Sequence, residues 1–160
     1  MTKKTPADEA PREAIARNPK ATHDYHILDS WEAGIVLTGT EVKSLRHGKA
    51  SIKEAYARIR GGEVFLEGMN ITPYAQGNRY NHDPVRSRKL LLHRRELSKL
   101  STRIRERGFV AIPLSLYFRN GYVKVELGLG KGRTHEDRRQ AVKDRDVKRE
   151  LQRIVRTRRR

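Results

Sequence analysis

The chain has 160 residues, 36 Lys and Arg, 19 Asp and Glu and no Cys, for a formal net charge of +17. That length suits one compact domain with a modest core, and the missing cysteines exclude a disulfide framework, a thiolate nucleophile and a Cys-based zinc site. The charge opposes compaction unless a polyanion neutralises part of it, which makes nucleic acid the leading partner; no apolar run approaches a spanning helix and nothing resembles a signal peptide, so the expectation is a soluble cytoplasmic protein with no membrane contact.

Residues 1–20 carry Pro6, Pro11 and Pro19 among charged and small residues and show no apolar periodicity, which predicts a flexible N-terminal arm. From 21 to 130 the pattern changes to short alternating runs broken by Gly, Asn and Pro, the mark of a β body with a few helices. A strand is predicted through Gly34-Ile35-Val36-Leu37. A short helix over Glu41 to His47 follows, because Thr38 and Glu41 have capping-box spacing and Gly48 can end it. Ala55 to Ile59 and Val64 to Leu66 read as a hairpin turned at Gly61-Gly62. Asn81-His82-Asp83-Pro84 reads as a turn, since Asn and Asp bond the local backbone and Pro84 disfavours helix before it. Arg86, Arg88, Lys89, Arg94 and Arg95 bracket Leu90-Leu91-Leu92; the cations could hold phosphates, while one or two of the leucines must plug the core. Leu97, Leu100 and Ile104 give a second amphipathic helix ending at Gly108.

The clearest hairpin runs from Val110 to Leu129. Val110, Ile112, Leu114, Leu116 and Phe118 alternate onto one face, Asn120-Gly121 makes the turn, and Val123, Val125, Leu127 and Leu129 return inward. Tyr122, Lys124 and Glu126 then form an outward strip. Pro113 suggests that the first strand lies partly at an edge. At least five short strands with peripheral helices predict a mainly β chain, an OB-like antiparallel barrel whose outer face can present strands to nucleic acid. Gly128-Leu129-Gly130-Lys131-Gly132 lacks the Ser or Thr of a phosphate loop and reads instead as a hinge. Residues 131–160 set a dense run of cations against five acids and form a basic tail. Val147, Leu151, Ile154 and Val155 share one helical face there, with Val142 a turn off register. So thin a stripe predicts a tail disordered alone and helical when RNA neutralises it and a groove accepts it.

Catalysis has little support. His23-Asp24 and His82-Asp83 lack a third partner, and the six His residues are too scattered for a metal site, so neither a metal nor a cofactor is expected. Trp31 reads as a structural residue more readily than as a stacking one, because stacking surfaces carry several rings.

The order of the motifs goes further than composition. Asn18-Pro19-Lys20-Ala21-Thr22-His23-Asp24-Tyr25 is followed by EAGIVLTGTEVKSLRHGKA from Glu32 to Ala50. Asn70-Ile71-Thr72-Pro73-Tyr74, then NHDPVRSRKLLLH from Asn81 to His93, and finally GLGKG at Gly128 to Gly132 complete the series. Over about 110 residues these ordered blocks resemble the SmpB family. The resemblance implies an OB-like barrel that binds the tRNA-like domain of tmRNA, and a tail that probes the empty decoding centre and enters the mRNA channel of a stalled ribosome. It also implies delivery together with elongation factor Tu, acting through tmRNA on a monomeric adaptor. Carried over motif by motif, the RNA-contact positions are Glu32, Leu91 and Lys124, with Asn18 and His23 as further candidates. Those of the ribosome-binding tail are Lys131, Arg133, His135, Asp137, Arg138, Arg139, Leu151 and Ile154.

Two departures stand out. Where the family commonly reads Ala-Lys-Gly-Lys-Lys, this chain has Gly130-Lys131-Gly132-Arg133-Thr134. The residue before Asp137, usually His or an aromatic, is Glu136, with His135 one place upstream. Two rival readings remain on composition: a general or ribosomal RNA-binding protein, and an RNA-processing hydrolase using His82, Asp83 or His23.

Overall fold

In the computed structural model, which describes residues 11–75, 81–106 and 108–158 without the side chains of residues 135, 138 and 158, Asn120 and Gly121 both take positive φ, 51° and 77°. Two positive φ values in succession match the twist of a tight hairpin, and here they join two strands of 11 residues each. The elements in chain order are β1 (Glu13–Arg17), α1 (Pro19–Asp24), β2 (Tyr25–Ile35), α2 (Gly39–Arg46), β3 (Ala50–Ser51), β4 (Tyr56–Arg60) and β5 (Glu63–Glu67). They continue with β6 (Asn70–Ile71), β7 (Arg88–Leu91), α3 (Arg94–Arg105), β8 (Phe109–Arg119), β9 (Tyr122–Gly132) and α4 (His135–Arg158).

Seven strands form one antiparallel sheet in the order β1-β8-β4-β5-β7-β2-β9, and β9 also pairs with β8, so the sheet closes on itself with β1 added outside the ring. The expectation of a mainly β chain with peripheral helices holds. Closure leaves few open edges, which suits a small chain that cannot cover a broad sheet. Ala33 of β2, Val64 and Leu66 of β5, Leu90 of β7, Leu116 of β8 and the inward residues of β9 are buried together, joined by Leu45 of α2 and Leu100 of α3.

Three expectations are corrected. Half of the predicted arm is ordered: residues 13–17 are β1, paired with β8, and Pro19 opens α1, while residues 1–10 lie outside the described residues. The pairing edge that orders β1 belongs to a strand a hundred residues away, which composition cannot reveal. Second, β2 begins at Tyr25, well before Gly34, and is bulged between Ile27 and Asp29, which breaks the alternation. Third, the run Val110 to Phe118 does not keep one face. A bulge between Pro113 and Ser115 swaps the sides, so Ala111 and Leu116 point into the core while Ile112 is buried outside it. The partial edge expected at Pro113 is present as a gap in the pairing of β8. It lies where β8 changes partner, from β4 at Ala111 to β1 at Ser115–Phe118, and no backbone N–H is needed there.

Candidate nucleic-acid interface

Four strands lay a single row across the outer face of the sheet. Gly34 of β2 is in register with Leu91 of β7 on one side and Lys124 of β9 on the other, and Lys124 is in register with Tyr117 of β8. A Cβ at Gly34 would sit 3.3 Å from the Leu91 Cβ, so the glycine lets Leu91 lie across β2. Leu91 is 51% exposed, unlike Leu90 in the core and Leu92 packed against it. An apolar side chain held in the open beside a cation is the arrangement that a sugar or base face can cover.

Two residues before Gly34 on the same face is Glu32. Its Oε2 accepts the Tyr117 hydroxyl at 2.5 Å and pairs with the Arg119 guanidinium at 2.5 Å, both reaching over β9 from β8. Tyr117 is almost fully buried; burial, reinforced by the bond to Glu32, pushes its hydroxyl pKa up, so it stays a donor. Directly opposite Glu32 on β9 stands Glu126, which accepts from Ser115 Oγ at 3.0 Å and lies 3.8 Å from Arg12. Arg12 also covers the Tyr117 ring at 4.6 Å. Two facing carboxylates repel, and each is answered here by its own arginine.

Structure thus brings together Glu32, Leu91 and Lys124, and it separates the other expected contacts. Asn18 is buried as the cap of α1: its Oδ1 accepts from Ala21 N–H at 3.3 Å and its Nδ2 donates to the Pro113 and Ile52 carbonyls at 3.0 and 3.4 Å. Both Nδ2 protons and one Oδ1 lone pair are thus committed within the fold, a structural role that fixes α1. His23, near the exposed end of α1, is paired with Asp24 at 2.9 Å. The basic bracket around Leu90 to Leu92 is corrected in part, Arg94 and Arg95 remaining exposed at the start of α3. Arg88 is completely buried against Glu41, Arg86 bonds the same carboxylate, and Lys89 pairs with Glu63 at 2.6 Å. His82 spends both ring nitrogens on the fold, facing Thr40 Oγ1 at 3.1 Å and the Ile71 carbonyl at 2.8 Å. Tyr117, Arg119 and Arg12 went unnoticed in the sequence. For Tyr117 and Arg119 the only signal is parity, since odd positions after the bulge in β8 face outward, and Arg12, which precedes β1, has none.

The glycine hinge is corrected as well. Gly128 to Gly132 lie inside β9, paired with β8 and, from Tyr25 to Ser30, with β2. A Cβ at Gly128 would come within 2.9 Å of Leu114, and one at Gly130 within 2.9 Å of the Tyr25 Cβ; these glycines admit neighbours and do not loosen the chain. Lys131 projects beside Phe109, Nζ 5.8 Å from the ring. Arg133 ties down the end of the strand, its N–H to the Asp24 carbonyl at 3.0 Å and its Nε to the Tyr25 carbonyl at 3.3 Å. The joint comes next. Thr134 Oγ1 accepts from Asp137 N–H at 3.2 Å and the Asp137 carboxylate accepts from Thr134 N–H at 3.1 Å, a reciprocal cap that starts α4. Along α4 Val147, Leu151, Ile154 and Val155 are exposed, and Arg139 with them. His135 and Arg138 lie in its first turn, with side chains outside the described residues. No helix among the described residues is long and apolar enough to cross a membrane.

Comparison with known proteins accords with this geometry. A sequence profile for the family described as "SmpB protein" matches residues 15–157. The SsrA-binding protein of Geobacillus sp. (strain WCH70) is 55% identical over 144 residues, which is 90% of this chain and 93% of the relative. That of Bacillus subtilis (strain 168) is 52% identical over 142 residues, 89% of this chain and 91% of the relative. A solved structure described as "tmRNA-SmpB: a journey to the center of the bacterial ribosome" superposes with a TM-score of 0.65 at 46% identity, covering 83% of this chain and 95% of that one.

Proposed function

Because the chain belongs to the SmpB family, we propose that it binds the tRNA-like domain of tmRNA and delivers it to stalled ribosomes, as a monomeric cytoplasmic adaptor on an OB-like barrel without covalent chemistry of its own. One observation carries the reading. Glu32, Leu91 and Lys124 come from three separate stretches of the chain, yet β2, β7 and β9 set them side by side on one outer face. Elongation factor Tu would join through the RNA. The exposed stripe and dense cations of α4 suit an RNA-lined channel, the ribosome's vacant mRNA path, and its 24 residues extend about 36 Å.

The test measures RNA binding and peptide tagging side by side. The double variant Lys124→Ala, Glu32→Ala should lose affinity for the tRNA-like domain and for tmRNA competed with bulk tRNA; wild-type affinity would overturn the assignment. Removing residues 135–160 leaves β9 and Arg133 in place, so RNA binding should survive while tagging on stalled ribosomes is abolished. Efficient tagging without α4 would reduce the tail to a solubilising appendage.

A further inference from the structure

An acidic residue in an RNA-binding face needs a reason, because a free carboxylate repels the phosphates around it. The geometry at Glu32 supplies one. Both of its protein partners, the Tyr117 hydroxyl and the Arg119 guanidinium, converge on the same oxygen, Oε2. Among the described residues no hydrogen bond falls on Oε1, and the Glu32 side chain remains 27% exposed. Arg119 neutralises the charge, and the protonated Tyr117 hydroxyl fixes the rotation of the carboxylate.

We propose that Tyr117 and Arg119 are positioning residues that make Glu32 a one-oxygen acceptor, with Oε2 held by the protein and Oε1 presented to a single O–H or N–H donor of a nucleotide. The proposal rests on the reading of Glu32 as an RNA contact. It narrows the ligand chemistry. A guanine edge gripping a carboxylate through two parallel N–H bonds needs both oxygens and is excluded, whereas a ribose 2′-hydroxyl or one exocyclic amine proton needs only Oε1. The neighbouring row of Leu91 and Lys124 would then cover the sugar or base and meet phosphate. The plainer alternative is that Tyr117 and Arg119 only staple β8 to β2 over β9, contributing stability and nothing to recognition.

A double-mutant cycle on the full-length protein, titrated with a transcript of the tRNA-like domain, separates the two. Tyr117→Phe keeps the buried ring and its contact with Arg12 and removes one oxygen. It should weaken binding by about fivefold or more in the wild-type background and leave affinity unchanged when Glu32 is already alanine. Equal losses in both backgrounds, or none in wild type beyond what a lowered melting temperature explains, would overturn the proposal. Arg119→Gln should likewise lower affinity without changing the dependence of log affinity on log salt; a slope reduced by roughly 0.7 to 0.9 would make Arg119 a phosphate contact instead and overturn its positioning role. Single 2′-deoxy substitutions identify the donor: a deoxy penalty that vanishes in Glu32→Ala marks a 2′-hydroxyl, and its absence at every position marks a base N–H. Lys124→Ala is the reference arm. If it and Glu32→Ala both leave affinity intact, the adaptor reading fails; if both reduce it and Tyr117→Phe does not, the positioning alone fails.

Discussion

Replacing Glu41 should be among the most damaging single changes to the fold. Its carboxylate is fully buried, accepts the Thr38 N–H at 2.9 Å, and is shared by the guanidinium groups of Arg86 and Arg88. Arg88 is buried too and places all five of its N–H groups: Nε on Glu41, Nη1 on the Met69 and Arg86 carbonyls at 2.8 and 3.1 Å, Nη2 on the Pro84 and Asp83 carbonyls at 3.1 and 3.4 Å. In Glu41→Ala the hydrogen bonds to carbonyls remain but the countercharge is gone, leaving a buried cation uncompensated. That loss costs about 3–5 kcal/mol, which for a chain of this size lowers the melting temperature by about 6–20 °C. Glu41→Gln should fall near the lower end, since an amide oxygen can still accept. Burial by itself would raise the Glu41 pKa, but the bonds from Arg86, Thr38 and Arg88 outweigh it and hold it below 4.5. A carboxylate with a depressed folded-state pKa contributes stability above its unfolded value and loses it as pH falls through the folded one. Wild type should therefore weaken steeply below about pH 4.5, while Glu41→Gln shows a shallower acid limb. Urea unfolding followed by circular dichroism from neutral to acid pH reads both effects. A cost under about 1 kcal/mol for Glu41→Ala, or parallel acid limbs, would refute the reasoning.

Gly130→Ala should destabilise by about 1–3 kcal/mol through overpacking, because its Cβ would meet Tyr25, whereas Gly132→Ala, with nothing within 4 Å, should be close to neutral. A hinge that needs only backbone freedom would make the two variants equivalent in thermal unfolding. Contrary to the expectation of a tail disordered until bound, α4 is formed in the chain alone, and Thr134→Ala and Asp137→Asn should each lower its helix content in far-ultraviolet circular dichroism. The Thr134 hydroxyl, then its N–H, holds the Asp137 pKa down, so this cap is complete above the ordinary carboxylate range and lost as pH falls below it. Asp137→Asn should flatten that acid loss of helicity, and unchanged helicity in both variants would remove the cap from the account.

Local pattern carried a long way in this chain. Alternation located the β4–β5 and β8–β9 hairpins and their turns, helical spacing located α2 and α3, and charge with a thin apolar stripe marked off α4. The outward strip of Tyr122, Lys124 and Glu126 followed from the period of two. Each of these depends on neighbours within a turn or a hairpin, the range over which propensity and periodicity operate. What the tertiary structure decided involves partners far apart in the chain. The bulge after Pro113 reverses the faces of β8, β1 orders on an edge that a distant strand provides, and the glycines of β9 answer to Tyr25 and Leu114. The roles of the charged residues divide the same way. Composition made Arg86 and Arg88 resemble Lys124, yet pairing with Glu41 buries Arg88 in the core and ties the half-buried Arg86 to the same carboxylate, while Lys124 stays on the outer face. Motif resemblance could name Glu32. Only sheet order, which carries Tyr117 and Arg119 across β9 onto one of its two oxygens, shows how a carboxylate can serve a surface built for RNA.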